Sequence, residues 1–261
     1  MTSQTTRTTL LAILTLLLPA ALLIYVRQSA LSETLWTLPL FHFYIVTFTS
    51  FVALIAAIFI GVGVLEQKLT FRNYTLTLAF GGMAAFFVLH GLATPGILLP
   101  GPNQAVVWSA TLSLFCGAFF FAASIMPLPQ RWQEKVLQHG TNLRRLLIVL
   151  YLLYALIAFF YPQPLASISA AGGGNLPRLI ASISIALYAF SAWRYWQSYL
   201  AEQRALHSHL ALAAALLAEA QISMTWYAPW QINWWLYHFL MLTGYSLAVF
   251  SIAREYESVR A

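Results

Sequence analysis

The sequence predicts an all-α protein, a polytopic integral membrane helix bundle of eight transmembrane helices. Three observations carry that prediction. The 261 residues are 61% hydrophobic and only 8% charged, against roughly 25% charged residues in a soluble domain. Apolar runs of spanning length, on the order of 20 residues, follow one another along the chain. Lys and Arg collect between those runs, as the loop charges of membrane proteins do.

The runs are 9–26, 40–65, 76–94, 104–126, 144–161, 178–199, 209–229 and 231–252. The first exceeds the typical 7–15-residue apolar core of a secretory signal, and Arg27 follows it without a small-residue cleavage pattern, so it reads as a retained helix. In the third, Gly81, Gly82, Ala84 and Ala85 make a small-residue surface suited to close helix packing. Cys116 lies in the fourth and is the only cysteine, which rules out an intrachain disulfide. It reads as a small core residue, with a soft metal ligand as the alternative. The longest polar connection, Pro127 to Arg145, contains a short surface helix at Gln130–Lys135. Pro162 to Pro177, with Gly172, Gly173 and Gly174, reads as a flexible loop. Ala228-Pro229 separates the last two runs, because proline lacks an amide donor and restricts its predecessor. Read differently, 209–252 would reduce the count to seven.

Orientation follows from the loops. Arg7, Lys68, Arg72, Arg131, Lys135, Arg144, Arg145, Arg194, Arg204, Arg254 and Arg260 fall on one side, and only Arg27 and Arg178 on the other. That bias requires an even helix number and places both termini in the cytoplasm. The net charge of +6 is spread over loops and not interleaved with aromatics, so nucleic acid is not an expected partner. Residues 1–261 form one transmembrane domain with short tails and no convincing internal repeat.

Three histidines, His42, His90 and His238, lie in apolar runs near the same, charge-poor side. At 1.5 Å per residue their depths are roughly 3, 6 and 10 Å. A histidine inside a bilayer is costly and marks a functional site. Trp234, His238, Met241 and Tyr245 follow one another at helical spacing, and His42, Val46, Thr49 and Ser50 share a face. Glu219 is the only acidic residue well inside an apolar run, with Ser223 and Trp226 on its face and Gln221 nearby. It sits deeper than the histidines, as a carboxylate supporting a ligand or accepting a proton.

Each feature also has a structural reading. His42 reads as an interfacial polar tip, and His90 as a partner of the turn that follows it. Glu219 reads as an anchor holding the bundle, and Met224 and Met241 as core fillers. His139, His207 and His209 fall in the charged loops and are expected to be solvated. Together, three imidazoles from different helices favour a transition-metal site, with copper or zinc the expected ion. Three His ligands leave a coordination position open. Trp234, Met241 and Tyr245 would line the pocket. The alternative cofactor is haem held by His90 and His238; no Cys-x-x-Cys-His attachment motif exists.

The segments His42-Phe-Tyr-Ile-Val-Thr, His90-Gly-Leu-Ala-Thr-Pro-Gly and Trp234-Trp-Leu-Tyr-His238 resemble the amino-terminal multi-helix membrane regions of bacterial signalling proteins with nucleotide cyclase or kinase output domains. The resemblance covers nearly the whole chain, which carries no such output domain. It implies a sensory module in the bacterial inner membrane, with a cytoplasmic signalling partner and a homodimer as expected assemblies. The charged tail at 254–260 would relay movement of the last helix. The competing expectation is a membrane oxidoreductase using haem or copper on a quinone or other lipid-soluble substrate.

Overall fold

The computed structural model describes residues 3–66, 70–171 and 175–260. Among them the regular structure is helical: α1 (Ser3–Gln28), α2 (Pro39–Glu66), α3 (Phe71–Leu92), α4 (Ala105–Ile125), α5 (Gln130–Gln138), α6 (Gly140–Phe160), α7 (Gln163–Ala171), α8 (Asn175–Glu202), α9 (Ala205–Trp226) and α10 (Ile232–Arg260). Seven of them, α2, α3, α4, α6, α8, α9 and α10, are long and apolar enough to cross a membrane. α1 adds a shorter apolar stretch, Ile13–Gln28. The all-α membrane bundle read from hydropathy is therefore present, with seven full spans among the described residues.

Local chemistry sets the boundaries. Pro39 opens α2, where a missing amide costs nothing. Thr70 caps α3, its Oγ1 accepting from the Asn73 amide at 3.2 Å. Asn103 precedes α4; its Oδ1 accepts from the Ala105 amide and its Nδ2 donates to the Ala158 carbonyl, both at 2.8 Å. Pro129 opens the exposed α5, which includes the expected short helix. Pro229 falls between α9 and α10 as the sequence requires.

Three elements differ from expectation. The connection at 162–177 is not a loop throughout, because Gln163–Ala171 is helical; Gly172, Gly173 and Gly174 lie outside the described residues. α6 and α9 each begin four residues earlier than the apolar runs do, at Gly140 and Ala205. Polar first turns continue a helix wherever their side chains find partners, so hydropathy truncates both. Lys68 lies outside the described residues.

Packing closes six helices into a ring in the order α2, α3, α4, α8, α9, α10 and back to α2. α6 stands outside this ring and α1 leans on α9. Small residues make the close crossings. A Cβ added to Gly82 would collide with the Cys116 sulfur, and one added to Gly117 with Met83 and the Tyr188 hydroxyl. Cys116 is therefore a packing residue at the α3–α4 crossing. The ring interior is filled by side chains such as Phe80, Met83, Phe121, Leu217, Tyr188 and Tyr245, all fully buried.

The two ends of the ring differ in chemistry. At one end Arg72, Tyr74, Gly140, His207, Arg204 and Glu255 meet through hydrogen bonds and an ion pair. At the other end the starts of α2, α4 and α10 meet the ends of α3 and α9.

Candidate metal centre

The three intramembrane histidines come from three consecutive members of the ring: His238 from α10, His42 from α2 and His90 from α3. All are buried, at 0%, 1% and 2% exposure. One ring nitrogen from each can be chosen so that all three lie within 4.8 Å of one another. Nitrogens around a metal at ~2.0–2.1 Å sit roughly 3–4 Å apart, so the cluster needs only small closure to ligate. The ring centroids of His42 lie 4.8 Å from those of both His90 and His238.

Hydrogen bonds decide which nitrogens face inward. His90 Nδ1 is 2.7 Å from the Val106 carbonyl, and His238 Nδ1 is 3.2 Å from the Trp235 carbonyl. A carbonyl only accepts, so both Nδ1 atoms carry the proton and both Nε2 atoms carry a lone pair. His90 Nε2 is approached by two donors, the Tyr237 hydroxyl at 2.8 Å and His42 Nε2 at 3.0 Å. With His42 Nε2 donating, His42 Nδ1 accepts from the Thr94 hydroxyl at 2.8 Å. His238 Nε2 is buried and has no hydrogen-bond partner. One lone pair is thus claimed twice and another not at all, a costly arrangement for neutral imidazoles in an apolar interior.

An aromatic wall surrounds the cluster. Trp234 stacks on His42 at 5.3 Å and meets His238 edge-on at 5.0 Å. Trp230 and Trp235 meet His42 at 5.6 and 5.8 Å, and Phe87 stacks on His90 at 5.2 Å. Trp230 has φ 72°, a left-handed conformation that costs a bulky residue about 1–3 kcal/mol. Its carbonyl is held by the Trp36 amide at 2.8 Å, and Leu35 bridges to Gln231 alongside. A cavity of about 430 Å³ at this end of the ring reaches His42 and His90. A larger cavity of about 870 Å³, bordered by Arg27, Glu33 and Asn233, includes none of the three histidines.

The structure brings His42, His90 and His238 together with Trp234, as the sequence predicts. Met241 and Tyr245 are buried on the same stripe of α10, but the Tyr245 hydroxyl donates to the Met83 sulfur at 3.3 Å, in the core below the cluster. Glu219 is half-buried; its Oε2 has no hydrogen-bond partner, and no bond links it to a histidine among the described residues. Support for the imidazoles comes instead from Thr94, Val106 and Trp235. Tyr237, Trp230 and Phe87 also escaped the sequence reading. A single 100° stripe on α10 excludes Tyr237, whereas α10 packs against both α9 and α2 and buries a wider arc.

His207 and His209 correct the expectation of solvated loops. Both lie within the first five residues of α9, and His207 is 1% exposed. Arg72 donates to His207 Nε2 at 2.9 Å, and His209 Nδ1 meets Ser251 Oγ at 3.0 Å. Of the three, His139 alone is exposed, its Nδ1 donating to the Lys135 carbonyl.

The geometry also bears on haem. The His90 and His238 rings lie 6.3 Å apart, with Phe87 packed against both and His42 touching each. A porphyrin between them would need a flat slot that these side chains fill.

No protein-family model, curated protein or solved structure matches this chain.

Proposed function

We propose that this protein is a membrane-embedded sensory or regulatory module whose signal is a transition-metal ion held by His42, His90 and His238. The observation that carries the reading is the orphaned Nε2 of His238 beside the doubly claimed Nε2 of His90. A cation at their meeting point would use both lone pairs and turn an electrostatic conflict into ligation.

His42 would join by exchanging tautomers. Its proton moves from Nε2 to Nδ1 and is then donated to Thr94 Oγ1, which is already 2.8 Å away. Thr94 can turn its own hydroxyl proton towards the His90 carbonyl, at 3.4 Å. The protons on this chain are conserved throughout. The site offers neutral imidazoles and no carboxylate hydrogen-bonded to them, which favours copper(I) over a divalent ion, since burying one charge costs less than burying two. When bound, such an ion supplies an open coordination position. α10 runs as one helix from His238 to Arg260, so a shift at the metal end can be carried to the charged end, which on this reading faces the cytoplasm.

The test is metal analysis of the purified protein after growth in medium containing both copper and zinc. One copper per chain, colourless when reduced and paramagnetic after oxidation, is the expected result. A metal-free protein that takes up neither ion would overturn the reading. A second reading, a copper-dependent oxidoreductase, is favoured by the four aromatic side chains Trp230, Trp234, Trp235 and Tyr237 around the cluster. Turnover of a quinol by the copper-loaded protein would select it.

A further inference from the structure

We infer that the cavity at the histidine end of the helix ring is a binding site for a small organic carboxylate with a flat, apolar body, its carboxylate at Arg178 and its ring system against the wall formed by Trp230 and Trp234. The inference stands on the cavity itself and does not require the metal.

The cavity holds about 430 Å³, within the ~300–1,000 Å³ range of ligand pockets. One end is formed by His42 and His90, which are buried, and the other by Arg178, which is exposed near the start of α8. It therefore has a deep closed end and a mouth. Arg178 is the sole Lys, Arg, Asp or Glu on its wall. Its guanidinium makes no hydrogen bond or ion pair among the described residues, so its five donors are available. A lone guanidinium binds a carboxylate through two parallel bonds and balances its single charge, whereas a phosphate dianion would keep one charge without a counter-charge on this wall. Organic cations are disfavoured, because no acidic residue lines the space.

The body of the ligand follows from the remaining wall. Trp230 and Trp234 touch, their ring centroids 5.4 Å apart, and make one aromatic wall; Val107, Ala110 and Met224 also line the space, with Gln104, Thr111 and Thr225 among them. Asn103 already commits one donor to Ala158 and its oxygen to Ala105. A flat, mainly hydrocarbon body of one or two rings fits these walls. Trp230 forms part of the wall only because its backbone is pinned in the left-handed region by the Trp36 amide. Strained backbone of this kind persists where surrounding structure over-determines it, and it clusters at ligand sites.

The test is equilibrium dialysis of the full-length protein in detergent against 2-naphthoate, with uncharged 2-naphthamide as the control. The expected result is saturable binding of one naphthoate per chain, with the amide about tenfold weaker, the size of one charge-assisted contact. Arg178→Gln should lose about that factor for naphthoate and leave the amide unchanged. Val107→Trp places bulk in the cavity from a half-exposed position and should abolish binding of both. Bound metal reports that each variant is folded; where the parent holds none, monodisperse elution replaces it. Absence of metal would sink the metal reading and leave this one standing. Equal binding of naphthoate and naphthamide, or full naphthoate binding in Val107→Trp, would overturn the inference. So would protection of the cavity by phosphatidylglycerol and not by naphthoate, which would make the occupant a lipid.

Discussion

Buried histidines occupy both ends of the helix ring, and they are treated in opposite ways. At the charged end His207 accepts from Arg72 at 2.9 Å, Glu202 lies 3.8 Å from its other nitrogen, and His209 is paired with Ser251. Each ring bonds to a neighbouring helix of its own chain, while His207 Nδ1 itself makes no hydrogen bond. At the other end three imidazoles face one another, one lone pair unused and one contested. Histidines bonded across to a neighbouring helix join helices together. Unmatched ones that converge are arranged to receive something from outside the chain. Burial alone does not separate the two, because His207 and His42 are both 1% exposed.

The largest effect expected from this comparison is at His238. His238→Ala should take bound metal from one ion per chain to none, while His207→Ala leaves it at one; metal analysis of the two variants side by side decides. Retention of metal in His238→Ala would remove the contrast. Supporting bonds come next. Thr94→Val deprives His42 of the partner that sets its tautomer and should weaken metal binding by ~10–100-fold, read by competition with a chelator of known affinity. His207→Ala should act on stability instead, by about 1–3 kcal/mol, because Arg72 loses its acceptor; a lowered thermal midpoint in detergent with unchanged metal content is the expected pair of readings.

Acidification sharpens the comparison further. Imidazole must be neutral to ligate, so protons compete with the metal and occupancy falls as pH falls; metal retained across a descending pH series gives the profile. The smallest effect is expected at Glu219. With no hydrogen bond to a histidine, Glu219→Gln should leave metal content and chelator competition unchanged. A loss like that of Thr94→Val would return this carboxyl to the site.

The sequence by itself determined that the protein is a helical membrane bundle, because the bilayer demands runs of apolar residues whose length and flanking charges are one-dimensional properties. It also singled out His42, His90 and His238, since an ionisable ring in an apolar run is visible without coordinates. What it missed has a common cause. Arg72 lies 135 positions from His207 and Tyr237 147 from His90, so their hydrogen bonds have no trace in local spacing. The solvated-loop reading of His207 failed for that reason, and so did the omission of Tyr237 from the α10 stripe. Only the tertiary structure decided which imidazole nitrogens carry protons and which lone pairs converge. Those are properties of the partners each ring meets, and the closure of six helices into a ring chooses the partners.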